Sequence, residues 1–299
     1  MTTSPLANLT ATRELLDEFG LATKHRFGQN FLIDNHVIER ICELAELTGA
    51  ERVLEVGPGI GTLTLALVQE AAGVVSIEMD SALEPVLFAH AADHANFTYI
   101  MGDALRVPVE RIEEAAGGAP THLIANLPYN VAATIILDFF ERMPALECAV
   151  VMVQKEVADR IAAQPGSKDY GAYTVKLALQ ARVTGRFEVP PRCFMPAPHV
   201  DSAVVRLDRY APGETPCVAA SVAGDGIDPA EVARVVDAAF AQRRKTIRNS
   251  MSANGFAKQA LDAAFDETGI APTARAETLS VEDFVRLAAA LAEAGEGAR

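Results

Sequence analysis

The sequence predicts an α/β fold, in which a mostly parallel sheet is followed by a smaller all-helical C-terminal domain. Short apolar runs of strand type alternate with helical patterns between residues 52 and 163, as expected for right-handed βαβ units. A glycine-rich turn at 57–61 follows the first run and opens a helix. After a segment at 211–228 that is rich in Gly, Pro, Ala and Ser, only helical patterns remain.

Hydrophobic spacing and breaker residues place the elements in order along the chain. A short amphipathic helix is expected at 10–19, and a second helix is expected from a cap at Asp34 to residue 47. Strands of the parallel sheet are expected at 52–56, 74–78, 97–101, 122–125 and 148–153. Helices are expected at 60–71, 81–91, 131–142 and 155–163. Two later strands, 182–188 and 203–208, are expected at an antiparallel edge, before helices at 229–240, 257–265 and 281–294.

These patterns predict two domains joined by a linker. The sheet domain, with an N-terminal helical and basic extension, is expected at 1–210, the linker at 211–228 and the helical domain at 229–299. A chain of 299 residues, half of them hydrophobic, is long enough for one large and one small core.

Composition and charge exclude several classes of protein. The longest apolar run is shorter than the ~18 residues of a membrane helix, and the N-terminal residues do not resemble a secretory signal. The four cysteines lack the spacing of a zinc site or a disulfide framework, which predicts a cytoplasmic protein without a metal. A net charge of −14 argues against nonspecific nucleic-acid binding by the whole surface, although it allows a local basic patch.

The tetrapeptide Asn126-Leu127-Pro128-Tyr129 is the most informative motif, because it follows a buried strand directly. Ligands of open α/β sheets bind outside the carboxyl ends of the strands. An amide there can hold an amine, a proline can fix the preceding carbonyl, and a ring can stack on a flat base. The motif therefore indicates chemistry on the exocyclic amine of a nucleobase.

Three neighbouring strand ends carry the features of a nucleoside site. The glycines Gly57, Gly59 and Gly61 permit a tight turn, although their spacing leaves the dinucleotide fingerprint incomplete. Glu78 ends the second strand and can accept the hydroxyls of a ribose. Asp103 follows the third strand and can accept the amino group of an adenine. The set favours S-adenosylmethionine over NAD.

Seven motifs in order resemble the rRNA adenine N6,N6-dimethyltransferase family, most closely its small-subunit (16S) branch. The match covers about 15–280, and its motifs lie at residues 26–32, 55–61, 126–130, 154–160, 194–203, 240–246 and 275–280. The resemblance implies a Rossmann-like, S-adenosylmethionine-dependent methyltransferase sheet with a helical C-terminal domain. It also implies cofactor contacts at Asn30, Leu32, Gly57, Glu78, Asp103 and Asn126, to which the glycine turn adds Gly59.

The implied substrate is a pair of adjacent adenosines in the 3′-terminal hairpin loop of 16S rRNA, each methylated twice at N6 within the immature small subunit. The expected acceptors of the two N6 protons are Asn126 Oδ1 and the carbonyl of Leu127, with Pro128 fixing the turn. The adenine would leave its stack, with Tyr129 on one face and Phe194 on the other.

Two basic clusters are the expected RNA contacts, because Lys and Arg bind phosphates without reading sequence. One contains Lys24, Arg26 and the intervening His25, and the other contains Arg243, Arg244, Lys245 and Arg248. Neither a membrane nor an obligate protein partner is expected.

Three other functions compete with this interpretation. A large-subunit (23S) rRNA methyltransferase of the antibiotic-resistance type would use the same cofactor and tetrapeptide. A noncatalytic ribosome-assembly factor could retain the fold, although the intact acceptor and cofactor positions argue against it. An NAD-dependent oxidoreductase is disfavoured by the glycine spacing.

Overall fold

The structure is a computed structural model that describes residues 2–21, 29–219 and 226–296. Its first elements are α1 (Leu9–Glu18), β1 (Phe31–Leu32), α2 (Asn35–Ala45), β2 (Arg52–Val56), α3 (Thr64–Glu70), β3 (Gly73–Glu78), α4 (Glu84–Asp93), β4 (Phe97–Met101), α5 (Val109–Ala116), β5 (His122–Asn126), α6 (Ala132–Arg142), β6 (Cys148–Gln154) and α7 (Lys155–Ile161). They are followed by α8 (Ala172–Ala178), β7 (Ala181–Val189), β8 (Phe194–Met195), β9 (Ser202–Arg209), α9 (Pro216–Ala219), α10 (Pro229–Phe240), α11 (Ile247–Ala253), α12 (Lys258–Thr268) and α13 (Val281–Leu291).

A seven-stranded sheet has the strand order β4-β3-β2-β5-β6-β9-β7. The strands from β4 to β6 are parallel, and β9 pairs antiparallel with β6. The predicted antiparallel pairing is therefore confirmed for β9, and β7 lies beyond it at the edge of the sheet. A separate two-stranded sheet joins β1 to β8, with Leu32 opposite Phe194.

The strand register brings the predicted site residues to one edge of the sheet. Glu78 at the end of β3 is opposite Met101 at the end of β4, and Val56 at the end of β2 is opposite Ile77. The central strands are apolar because helices cover both faces of a parallel sheet, and Val53, Val75 and Ile124 are almost completely buried.

The glycine turn makes α3 shorter than the sequence predicts. The expected helix begins at residue 60, whereas α3 begins at Thr64. Gly57, Gly59 and Gly61 have φ values of 72°, 61° and 86°, in the left-handed region. A right-handed helix therefore starts only after the turn.

The chain divides into two compact units. The first contains residues 1–158 and 183–209, and the second contains residues 159–182 and 210–299. This division differs from the predicted domains 1–210 and 229–299, because residues 159–182 belong to the helical unit. Val175 and Leu179 in that segment are buried in the core cluster that contains α10 and α13 residues, which the sequence pattern alone did not indicate.

The predicted linker at 211–228 also contains regular structure. It includes α9, and Cys217 in this helix is 2% exposed and belongs to the core of the helical unit. Among the described residues, no helix is long and apolar enough to cross a membrane.

Candidate active site

A cavity of about 300 Å³ lies at the carboxyl ends of β2, β3, β4 and β5. All the residues that the sequence predicts as cofactor contacts line it, together with the whole tetrapeptide: Asn30, Leu32, Gly57, Gly59, Glu78, Asp103, Asn126, Leu127, Pro128 and Tyr129. The volume is at the lower end of the ~300–1,000 Å³ range of small-molecule sites. Residues distant in the sequence meet here because parallel strands end at a common edge.

The glycine turn forms one wall of the cavity, and the shape of this wall depends on residues that have no side chain. A Cβ atom at Gly59 would lie 3.2 Å from the ring of Phe31, and one at Gly57 would lie 3.4 Å from the ring of Pro128. The backbone N–H groups of these glycines donate to groups within the protein. Gly57 donates to the Ile77 carbonyl at 2.9 Å, and Gly59 donates to Glu78 at 3.2 Å.

Two acids at adjacent strand ends face the cavity. Glu78 is 7% exposed, and its carboxylate accepts hydrogen bonds from the N–H groups of Gly59 and Asp80. Burial raises the pKa of Glu78, while these hydrogen bonds oppose the shift. Asp103 is more accessible, with 34% of its side chain exposed, and its carboxylate accepts from the N–H of Leu105 at 3.1 Å. A buried acid and a partly exposed acid one strand apart fit the ribose and the adenine of a nucleoside.

Glu55 is a third acid in the cavity wall, and sequence reasoning missed it as a site residue. It is 1% exposed, and its Oε2 accepts hydrogen bonds from Thr64 at 2.6 Å and Ser76 at 2.7 Å. Burial raises the pKa of Glu55 to about 7, and the nearby charge of Glu78 contributes in the same direction. The available signal was a carboxylate within an otherwise apolar strand, two positions before the first glycine.

The amide of Asn126 is oriented by a residue from the N-terminal segment. Its Nδ2 donates to the carbonyl of Asn30 in a long hydrogen bond of 3.4 Å. This contact directs the amide nitrogen towards Asn30, so the side-chain oxygen can accept a hydrogen bond from an amine in the cavity. Leu127, 1% exposed, follows with its N–H donating to the Met152 carbonyl at 3.1 Å.

The hydroxyl of Tyr129 is fixed from a neighbouring part of the sheet. It lies 2.6 Å from the hydroxyl of Ser202, a completely buried residue at the start of β9. Burial raises the pKa of Tyr129, so the phenol stays protonated at neutral pH. The half-buried ring lines the cavity, where it can present a face to a planar ligand.

Phe194 is not placed as the sequence predicts. Its ring is 3% exposed and belongs to the core of the sheet unit, and it is not among the residues that line the cavity. The ring packs in the core cluster that also contains Leu32, its partner in the β1–β8 pair. In this arrangement the ring has almost no free surface on which a base could stack.

The predicted RNA-binding residues differ in their surroundings. Lys24 and Arg26 lie outside the described residues. Arg248 forms two hydrogen bonds with Asp262, at 2.5 and 2.7 Å. Arg243 donates to the carbonyl of Lys168 at 2.7 Å and lies 3.8 Å from Glu277.

Arg244 and Lys245 are exposed beside Arg243 in the turn between α10 and α11. This basic cluster is therefore only partly neutralised by acids of the helical unit. In the described part of the chain, no group of His, Cys, Asp and Glu side chains has the arrangement of a metal site.

Residues 20–293 match a protein family described as "Ribosomal RNA adenine dimethylase". A protein of Corynebacterium jeikeium strain K411, named "Ribosomal RNA small subunit methyltransferase A", is 40% identical over 294 residues, which cover 93% of each chain. Proteins with the same name are 43% identical in Magnetococcus marinus, covering 92% of this chain and 94% of that one, and 41% identical in Cutibacterium acnes, covering 99% and 97%.

Two solved structures resemble most of the fold. A dimethyladenosine transferase from Plasmodium falciparum has a TM-score of 0.70 at 23% identity and covers 86% of this chain and 95% of its own. The 23S rRNA methyltransferase ErmE has a TM-score of 0.63 at 28% identity and covers 88% of this chain and 100% of its own.

Proposed function

Because the chain belongs to the ribosomal RNA adenine dimethylase family, we propose that it methylates N6 of two adjacent adenosines in the 3′-terminal hairpin loop of 16S rRNA. Each adenosine would receive two methyl groups from S-adenosylmethionine. The reaction would take place in the cytoplasm, on the immature small ribosomal subunit. The names of relatives that are 40–43% identical support the small subunit as the target.

The observation that carries the proposal is the position of the Asn126 amide in the wall of a nucleoside-type cavity, which the rest of the tetrapeptide also lines. The glycine turn and the acids Glu78 and Asp103 fit an adenosine-containing cofactor. The amide oxygen and the Leu127 carbonyl at the same cavity fit an exocyclic amine. Donor and acceptor substrates would therefore meet at one strand end.

The cavity favours S-adenosylmethionine over a dinucleotide. The N–H groups of Gly57, Gly59 and Gly61 all donate within the protein, so they do not form a cradle for a pyrophosphate. Bound S-adenosylmethionine would supply a methyl group activated by a positively charged sulfur. The carboxyl groups of Glu78 and Asp103 in the cavity wall are compatible with a cationic ligand, whereas they disfavour phosphates.

The protein would contribute acceptors and orientation to the reaction. The N6 lone pair of adenine is delocalised into the ring, which makes the amine a poor nucleophile. If Asn126 Oδ1 and the Leu127 carbonyl accept the two N6 protons, the nitrogen becomes more pyramidal and its lone pair points into the cavity. Catalysis then depends on positioning and electrostatics, without a covalent enzyme intermediate.

Tyr129 would hold the flipped adenine by stacking, a contact that contributes roughly 1–3 kcal/mol per base. The hydrogen bond to Ser202 keeps the ring in place while the base enters. Phe194 has a different role in this proposal, because its ring is buried. It supports the β1–β8 pair, and through β1 the segment that contains Asn30 and Leu32.

RNA would contact the helical unit through the cluster formed by Arg243, Arg244, Lys245 and Arg248. Phosphate contacts there would position the hairpin without reading its sequence. Lys24 and Arg26 would extend this role to the N-terminal segment.

The proposal is tested by methyl transfer from labelled S-adenosylmethionine to undermethylated small subunits and, separately, to large-subunit rRNA. We expect label in two adjacent adenosines of 16S rRNA. Label in 23S rRNA alone would instead support the large-subunit reaction, and no transfer to either substrate would support a noncatalytic assembly factor.

The role of Asn126 is tested by two substitutions in the same assay. Asn126→Ala removes the acceptor and is expected to lower turnover by at least about 100-fold, as for other positioned groups that stabilise charge. Asn126→Asp keeps acceptor oxygens and is expected to retain part of the activity. Near-normal turnover of a folded Asn126→Ala protein would reject the role.

A further inference from the structure

Arg142, the last residue of α6, makes contacts that connect this helix to the loop after β4. Its Nη1 donates to the carbonyl of Val107 at 2.7 Å, and its Nη2 donates to the carbonyl of Ala104 at 2.6 Å. The two carbonyls belong to the loop that begins at Asp103. A guanidinium group can satisfy both because its donors form a rigid, planar fork.

The Arg142 side chain is itself held in place. Its Nε donates to Asp138, one helical turn earlier, at 2.5 Å. The guanidinium carbon lies 4.4 Å from the ring centre of Phe139, and 23% of the side chain is exposed. The charge is therefore neutralised and the fork points away from solvent, towards the loop.

The loop held by Arg142 carries part of the cavity wall. Asp103 and Leu105 line the cavity on either side of Ala104. Within the loop, the carbonyl of Asp103 accepts from the N–H groups of Arg106 and Val107, at 2.8 and 3.0 Å. These bonds make the loop a compact turn, and Arg142 fixes the position of that turn relative to α6.

The position of α6 links the two ends of the candidate site. The helix starts at Ala132, three residues after Tyr129, and ends at Arg142. Its first residues thus follow the amine-accepting tetrapeptide, while its last residue holds the loop that bears Asp103.

We propose that Arg142 is a positioning residue for cofactor selectivity, which acts by fixing the Asp103 carboxylate against the adenine amino group. The inference rests on the proposed function, since it assumes an adenosine-containing cofactor. In this proposal the Asp103 carboxylate contacts the amino group directly, and Arg142 acts only through the loop. Loss of the fork is therefore expected to weaken recognition of the adenine more than binding of the rest of the cofactor.

The test compares two ligands in calorimetric titrations of the full chain without RNA. One ligand is S-adenosylhomocysteine, and the other is its analogue in which hydrogen replaces the 6-amino group. We expect the unsubstituted protein to prefer the amino compound by at least about tenfold, the size expected for a hydrogen bond to a charged group. In Arg142→Lys, which keeps the charge but loses the fork, we expect that preference to fall below about threefold.

Arg209 provides a matched control, because it also donates to backbone carbonyls in the sheet unit. Its acceptors include the carbonyls of Phe140 and Met143, at the same end of α6 as Arg142, and of Leu146, none of which lines the cavity. We expect Arg209→Lys to lower the melting temperature while leaving the ligand preference unchanged. A merely structural arginine would behave in this way.

A second variant, Asp138→Asn, keeps Arg142 but weakens its anchor, and we expect a smaller fall in preference in the same direction. Three results would each overturn the inference. They are an unchanged preference in both Arg142→Lys and Asp138→Asn, an equal fall of the preference in Arg209→Lys, and no preference in the unsubstituted protein. Failure of methyl transfer to rRNA by a protein that shows the expected preferences would instead reject the proposed function and leave the inference standing.

Discussion

Replacing Gly61 by Ala tests whether the glycine turn requires a residue without a Cβ atom at this position. The residue has φ +86°, a conformation that side-chain-bearing residues rarely adopt. A Cβ atom there would lie 2.7 Å from Cδ2 and 2.8 Å from Nε2 of His90. Movement of the imidazole would break a hydrogen-bond contact, because its Nε2 lies 3.0 Å from the carbonyl of Ile60.

Two separate penalties determine the expected size of the effect. The left-handed backbone costs a residue with a Cβ atom roughly 1–2 kcal/mol. Overpacking against the imidazole adds roughly 1–3 kcal/mol, or the His90 ring rotates away and loses a hydrogen bond worth roughly 0.5–1.5 kcal/mol. We therefore expect Gly61→Ala to lower the free energy of unfolding by about 1.5–5 kcal/mol.

Gly117 offers a control that isolates the contact with His90. It also has a left-handed φ, +66°, where it ends α5, but an added Cβ atom would meet nothing within 4 Å. Gly117→Ala should therefore show the backbone penalty alone. Urea denaturation of both variants measures the difference, and equal losses within about 0.5 kcal/mol would refute the claim that the imidazole restricts this position.

Two further predictions concern charge. Burial raises the pKa of Glu55 to about 7, so between its ordinary pKa of 4.5 and pH 7 the native state keeps a proton that the unfolded state releases. The free energy of unfolding should therefore fall by up to about 3 kcal/mol as the pH rises through this window. Denaturation of the Glu55→Gln variant should not show this decrease. Arg248 is paired with Asp262, whereas Arg244 and Lys245 are exposed. The double charge reversal Arg244→Glu/Lys245→Glu should therefore weaken binding of a 16S hairpin RNA more than Arg248→Glu does, and it should reduce the salt dependence of that binding. Equal RNA affinity of the two variants at low salt would contradict this prediction.

The sheet could be predicted from the sequence because its central strands are buried on both faces. Residues 52–56 and 97–101 form β2 and β4 within the predicted bounds, since a continuous apolar run between breakers allows few other arrangements. The predicted Rossmann-like methyltransferase fold and the family are confirmed by the comparisons. The placement of residues 159–182 was not predictable, because it depends on which core their apolar side chains enter.

The candidate site was predictable where function follows from position along a strand. Asn126, Glu78 and Asp103 lie at or just after strand ends, and the topology of a parallel sheet brings such positions together. The contacts of Arg142 and Ser202 could not be read from the sequence, because their partners are 35–38 and 73 residues away along the chain.

Phe194 is a residue for which the sequence motif predicted the wrong environment. Its proline-flanked motif suggested a ring facing a base, but a motif does not determine which face of a two-residue strand is buried. Pairing with Leu32 in β1 places Phe194 in the core. Phe194 therefore supports β1, whose residues line the cavity, and does not line the cavity itself.

In the proposed mechanism the N-terminal segment would take part in catalysis as well as in the cavity wall. The carbonyl of Asn30 receives the Nδ2 hydrogen bond of Asn126, and this bond determines which atom of the amide can accept an amine. Asn30 directly precedes β1, whose position is fixed by β8. The reactivity assigned to the tetrapeptide thus depends on a residue almost 100 positions earlier. A reversed amide would present its NH₂ group to the amine, and it could not accept a hydrogen bond from the N–H groups of that amine.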